Sequence, residues 1–192
     1  MQAETTYFEK PGPSNTAETV KCALERAKEL NINHVVIASN SGNTAELCLG
    51  HGMELTWVTH QIGYANPGED EAEPEKRQKL AAQGVKILTA THLMAGIERA
   101  LRLLSGGVYP AEIVAHTLRI FGQGVKVCVE CSVMALDAGM IPLGVPVMAI
   151  GGTGRGSDTA VILRPAHSQD FFRTKVIEIC CKPRMDVKVE LR

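Results

Sequence analysis

Ser39-Asn40-Ser41-Gly42-Asn43-Thr44 gathers short hydrogen-bonding side chains around one glycine. Ser39, Ser41, Asn43 and Thr44 offer hydroxyls and an amide, Asn40 adds a second amide, and Gly42 lets the backbone come close to a bound group. None of the six is charged. Val35 to Ala38 just before them reads as a strand, and the residues after Asn43 read as the start of a helix. The first free N–H groups of that helix, and its dipole, then face the same space. The chemistry this suits is capture of a phosphate by hydroxyls and dipoles. An ordinary helix cap needs one such residue, and here four surround a glycine.

A second candidate is Gly151-Gly152-Thr153-Gly154-Arg155-Gly156-Ser157-Asp158-Thr159. Its four glycines allow a tight, closely approaching backbone, and Arg155 adds a planar fork that matches phosphate. The spacing Gly152-x-Gly154-x-Gly156, without a following Lys-Ser/Thr, is neither a dinucleotide fingerprint nor a P-loop. Asp158 suits a ligand hydroxyl or the bracing of its own loop, and both remain open, as does the role of Thr159. His60 and His92 stand at expected strand ends, where an imidazole can meet a ligand ring or move a proton. Tyr64 can stack on a planar ring. Glu130 faces either the site or a buried arginine. No Ser–His–Asp, paired-carboxylate or HExxH arrangement stands out, so catalytic residues and reaction stay unassigned. Cys128-Val-Glu-Cys131 has CxxC spacing, but Lys126 to Glu130 alternates like a strand, which would send positions three apart to opposite faces. No second CxxC completes a four-ligand zinc site, and no metal site is expected.

These loops need a scaffold, and the chain supplies alternating strands and helices. Thr5–Phe8 reads as a strand, followed after Lys10-Pro-Gly-Pro13 by a helix capped at Ser14 or Asn15, with core positions Val20, Ala23, Leu24, Ala27 and Leu30. A short helix after Asn43 stops at Gly50-His-Gly52, and Glu54–Thr59 is a strand. His60 to Pro74 is a long irregular stretch of the kind that is functional or disordered. A helix over Glu75–Gln83 and a strand over Val85–Leu88 follow. Leu93, Ile97, Ala100, Leu101 and Leu104 mark a further helix, and Pro110 opens another carrying Ile113, Val114, Thr117, Leu118 and Phe121. Val125–Val129 reads as a strand, Ser132–Ala138 as a helix, and Val145–Ile150, Thr159–Leu163 and Lys175–Cys181 as strands. The expectation is one α/β domain over residues 1–192, with helices on both faces of a mainly parallel sheet and an antiparallel C-terminal edge. Ligands of such sheets sit beyond the carboxyl ends of the strands at a switch point. That rule places Thr59, His60, Gly63, Tyr64 and His92 near any ring held by the two loops.

The 20 basic and 21 acidic side chains are dispersed and give a net charge of −1, so no basic block speaks for nucleic acid. No apolar run reaches the ~18 residues of a membrane helix. The opening residues carry no basic segment followed by an apolar one, and a cytoplasmic location with reduced cysteines is expected.

Ala38-Ser-Asn-Ser-Gly-Asn-Thr-Ala45 resembles the loop with which the C-terminal domain of pyruvate kinase grips an effector phosphate. Gly151-Gly-Thr-Gly-Arg-Gly-Ser-Asp-Thr159 is similar to that domain's glycine-rich effector loop. From Tyr7-Phe-Glu-Lys-Pro-Gly12 to Arg164-Pro-Ala-His167 and Cys181-Lys-Pro-Arg184, nearly the whole chain resembles stand-alone proteins of the pyruvate kinase C-terminal-like family. The resemblance implies that fold and an FMN ligand, without implying a reaction. Ser39, Ser41, Gly42, Asn43 and Thr44 would hold the phosphate, while Gly151, Gly152, Arg155 and Gly156 close over the ligand, with Asn40, Thr153, Asp158 and Thr159 in the same loops. The resemblance does not extend to the catalytic barrel, so kinase activity is not expected. If the protein is an enzyme, a flavin-dependent oxidoreductase is the expectation, and a non-catalytic ligand sensor is the other use of the same site. A rival reading is a phosphosugar-binding or isomerase-like domain, because Ser39-x-Ser-Gly-x-Thr44 followed by Glu46 also looks like the phosphate loop of that class. A homo-oligomer joined through apolar helix faces is expected.

Overall fold

The computed structural model describes residues 3–184. Among the described residues seven strands form one sheet, and the central ones follow from apolar runs rich in β-branched residues, 35–37, 55–58, 147–151 and 159–163, that are buried on both faces. They are β1 (Thr6–Phe8), β2 (His34–Ala38), β3 (Glu54–Val58), β4 (Lys86–Leu88), β5 (Val147–Gly151), β6 (Thr159–Arg164) and β7 (Lys175–Pro183). The spatial order is β1-β7-β6-β5-β2-β3-β4. β6 runs antiparallel to both β5 and β7, and every other neighbouring pair is parallel. The antiparallel C-terminal pair is therefore present, with β1 added parallel to β7 so that Thr6 faces Cys181 and β1 forms the border.

Six helices cover the sheet: α1 (Thr16–Glu29), α2 (Asn43–Leu47), α3 (Pro74–Ala82), α4 (Gly96–Ser105), α5 (Pro110–Arg119) and α6 (Gln123–Asp137). Val20, Ala23, Leu24 and Ala27 of α1 repeat at helical spacing and pack on Val35, Ile37, Met148, Ile150 and Ile162. Each large side chain buried there contributes about 1.5–3 kcal/mol. Asn31, at φ 54, turns the chain out of α1 in the left-handed conformation that asparagine tolerates. Asn15 stands at the start of α1 but caps nothing, and its amide donates instead to the Lys10 carbonyl at 2.7 Å.

On the opposite face, Val36, Val58, Ala149, Val161 and Leu163 meet α6. Here the sequence expectation needs correction, because residues 125–129 are not a strand. A single helix runs from Gln123 to Asp137, and twelve consecutive or near-consecutive positions from Gly124 to Leu136 are buried. A helix buried over most of its surface keeps only a narrow polar stripe, here Lys126 and Glu130, so the usual 3.6-residue pattern fades and β-branched residues imitate a strand. Cys128 and Cys131 accordingly sit inside α6, where burial pushes both thiols up.

The direction of travel reverses at β2. From β2 the chain moves to β3 and β4 on one side, whereas β5 and β6 lie on the other. A crevice opens outside the carboxyl ends of β2 and β5 at this switch point.

Candidate functional site

Ser39 to Thr44 leave β2, and Gly152 to Ser157 leave β5, so both polar loops emerge side by side in that crevice. Trp57 anchors the first from below, its indole N–H donating to the Ser39 carbonyl at 2.5 Å while its ring stays fully buried. Gly42 lies against that ring. A Cβ there would stand 2.8 Å from the Trp57 ring, and φ is +80, so both space and backbone require glycine. Gly42 also begins α2 without any side-chain cap, and the Ser39 hydroxyl accepts the Gly42 N–H at 3.1 Å. Ser41 and Asn43 make no side-chain hydrogen bond to another described residue, so their polar groups stay uncommitted beside the opening of α2.

The second loop is fastened to the first and to α1. The Thr44 and Ser157 hydroxyls share a hydrogen bond of 3.0 Å. The Ser157 N–H donates to the Thr16 hydroxyl at 3.0 Å, and a Cβ on Gly156 would lie 2.4 Å from Pro13. Asp158 is wholly buried and accepts from the N–H of Gly12 (3.0 Å), the N–H of Thr153 (3.2 Å) and the Thr159 hydroxyl (2.8 Å). Of the two roles open to Asp158, the structure shows bracing. Arg155 projects at the cleft with no hydrogen bond or ion pair to a described residue.

The cleft has a volume of about 1030 Å³. Ser39, Asn40, Ser41, Asn43 and Thr44 line it, together with His60, Tyr64, His92, Gly152, Arg155 and Gly156. Gly42, Thr59, Gly63, Gly151, Thr153, Asp158 and Thr159 stand behind that lining. Thr59 is buried with its hydroxyl 2.7 Å from that of Thr89. Gly63 shapes the β3–α3 loop, its N–H donating to the Glu69 carbonyl at 2.8 Å. Gly151 lies under α6, where a Cβ would meet the Gly124 carbonyl at 3.0 Å, and Thr159 presses on Gly124 itself.

Three rings gather above the ends of β3 and β4. His60 stacks on Tyr64 with centroids 3.9 Å apart, and His92 meets both edge-on at 5.4 and 5.9 Å. Glu71 joins this cluster to the first loop, receiving His60 Nδ1 at 2.5 Å and the Asn40 amide at 3.2 Å. Burial alone would raise the Glu71 carboxyl, but the hydrogen bonds from His60 and Asn40 outweigh it and hold the group below the usual range. Burial lowers the His92 imidazole, with the nearby His60, Lys126 and Arg99 acting in the same direction against the opposing pull of Glu130.

Sequence reasoning missed the wall formed by α4, α5 and α6. Arg99, Arg102, Arg119 and Lys126 line the cleft from there. Glu112 pairs with Arg102 at 2.6 Å. Lys126 donates to Glu130, whose other oxygen accepts the Met94 N–H at 2.8 Å, and both charges are buried. The usable signals were the i, i+3 pair Arg99 and Arg102 on the polar side of α4, and the i, i+4 pair Lys126 and Glu130, which became visible only once residues 123–137 were one helix.

A family described as "Pyruvate kinase, alpha/beta domain" matches residues 17–163. Among solved structures, a pyruvate kinase from Cryptosporidium parvum is 15% identical with a TM-score of 0.38, covering 86% of this chain and 22% of its own. A complex of Cryptosporidium parvum pyruvate kinase with ADP is 17% identical with a TM-score of 0.39, covering 90% of this chain and 25% of that one. The chain thus spans about a quarter or less of the kinase chains it matches.

Proposed function

The chain belongs to the pyruvate kinase α/β-domain family, and from that premise we propose that it binds FMN, or a related phosphorylated planar ligand, across the crevice at the ends of β2 and β5. One observation carries the reading. Uncommitted donors suited to a phosphate, on Ser41, Asn43 and Arg155, share a cleft with the stacked rings of His60 and Tyr64. The donor set fits a phosphate dianion, being neutral hydroxyl and amide groups with one guanidinium. Ser41, Asn43, Thr44 and Arg155 would hold the phosphate, Gly152 and Gly156 keep backbone close to the ligand, and His60, Tyr64 and His92 would flank a planar ring. Bound FMN would supply hydride or electron transfer, and the protein binding and electrostatics. Among the chain's own groups, His60 has Nδ1 committed to Glu71, which orients the imidazole and leaves Nε2 to exchange a proton.

The phosphosugar alternative rests on Ser39-x-Ser-Gly-x-Thr44 followed by Glu46. That carboxylate is engaged by Lys76 and Lys79 of α3 and lies outside the cleft lining, which favours the planar ligand. The protein would also associate with itself through α4 and α5. No residue of α4 is buried, and Ile97 and Leu104 are 80% and 83% exposed.

The test is an absorption spectrum of freshly purified protein, with any released ligand identified by mass. Flavin bands near ~370 and ~450 nm with an FMN mass are expected on the cofactor reading. A colourless protein that also fails to take up added FMN would move the assignment to a phosphosugar binder or a sensor of another phosphorylated ligand.

A further inference from the structure

Arg99 and Arg119 reach the cleft from α4 and α5, the wall that carries neither phosphate loop. Other arginines are spent on carboxylates: Arg26 on Glu178 at 2.7 Å, Arg77 on Asp70 at 2.7 Å and, in this same wall, Arg102 on Glu112 at 2.6 Å. Arg99 and Arg119 have no carboxylate among the described residues. Arg119 Nε instead donates to the neutral amide oxygen of Gln123 at 2.6 Å, which orients the guanidinium without cancelling its charge. The Arg99 guanidinium carbon lies 5.5 Å from the centre of the Tyr64 ring, and its N–H groups make no hydrogen bond to a described residue. Of the acidic groups that line the cleft from this wall, Glu112 pairs with Arg102 and Glu130 with Lys126, while Glu98, next to Arg99 on α4, stands outside the lining and accepts the Ala111 N–H at 2.8 Å. The side chains these helices contribute to the lining are therefore net positive, and the N-terminal end of the fifteen-residue helix α6, where Gln123 stands, adds to that field.

We propose that Arg99 and Arg119 form a second anion subsite, which takes the carboxylate or phosphate of a second molecule, the reaction partner of a ring held beside Tyr64. A planar guanidinium fork matches either group. The cleft, at about 1030 Å³, stands at the top of the range of about 300–1,000 Å³ that serves one small ligand. This inference deepens the reading above and borrows from it only the identity of the neighbour.

The probe is inorganic phosphate, followed by titration calorimetry. FMN-saturated wild-type protein is expected to bind one equivalent of phosphate, increasingly weakly as salt rises. The variant carrying Arg99→Gln and Arg119→Gln is expected to bind phosphate at least about tenfold more weakly, with FMN affinity changed less than about threefold. Absence of phosphate binding to the FMN-saturated protein, or equal binding by the variant, overturns the subsite. A tenfold loss of FMN affinity in the variant also overturns it, because the two arginines then belong to the first ligand. Should FMN itself fail to bind, the unliganded protein is expected to take two equivalents of phosphate. Substituting Ser41 and Thr44 by alanine would then remove one, and substituting the arginines the other. A single equivalent indifferent to the arginines overturns the subsite in that case too.

Discussion

Thr44 and Ser157, 113 positions apart in the chain, hold their hydroxyl oxygens 3.0 Å from each other in a buried contact. This hydrogen bond fastens the loop after β2 to the loop after β5. The two halves of the candidate site are thus set by one another as well as by the sheet.

Replacing Ser41 and Thr44 together by alanine is expected to weaken FMN binding by more than about tenfold, since two donors to the phosphate and the loop-to-loop bond are lost together. Flavin fluorescence titration measures it, and unchanged affinity would remove these residues from the phosphate site. Ser157→Ala, which breaks the same bond without taking away a phosphate donor, is expected to weaken binding less.

Gly42→Ala confronts both a φ of +80 and the Trp57 ring 2.8 Å from the new Cβ. Gly50→Ala confronts a φ of +79 with nothing within 4 Å. Strain alone costs on the order of 1 kcal/mol at such positions, and the clash is expected to add about 1–3 kcal/mol at Gly42 only. Urea denaturation read through the fluorescence of Trp57, the single tryptophan, compares the two.

Removing one member of the buried Lys126–Glu130 pair leaves a charge without its partner. Glu130→Ala is expected to destabilise by about 3–5 kcal/mol, and a second substitution, Lys126→Met, to recover a large part of that. A double-mutant cycle in urea decides, and purely additive losses would show that the charges are not coupled.

His92 titrates below its ordinary value of 6.5 in the folded protein. The unfolded chain therefore takes up the proton first, and stability falls as the pH drops below about 6.5 until the folded imidazole is also protonated. Glu71, held below its ordinary 4.5, acts with the same sign at lower pH, its contribution being lost as pH falls through its folded value. Denaturation midpoints between about pH 7 and pH 5 are expected to fall less steeply in His92→Gln than in the wild type. Parallel slopes would count against the assignment.

Charges placed on the outer face of α4 by Ile97→Glu and Leu104→Glu are expected to leave the fold intact, because both side chains are exposed, and to dissociate a homo-oligomer. Sedimentation velocity of the two forms measures this. Equal masses would place the self-association, if any, elsewhere.

Several features were legible in the residues alone because they depend on local physics. The strand-loop-helix unit from Val35 to Leu47 follows from an apolar run breaking at small polar residues around a glycine that must adopt positive φ. The stripe of α1, the proline start of α5 and the antiparallel pairing of β6 with β7 are of the same kind, set by periodicity, by a missing N–H and by a connection too short for a crossover. The tertiary structure decided what depends on burial from every side and on contacts across long chain separations. It made Gln123–Asp137 one helix, because enclosure between the sheet, α5 and the residue 92–95 turn narrows the polar face by which a helix is recognised. It turned Asp158 inward onto Gly12, Thr153 and Thr159, a choice that no spacing encodes. It also carried Arg99 and Arg119 to the cleft that begins at Ser39, because the β4–β5 crossover passes over the same strand ends as the phosphate loops.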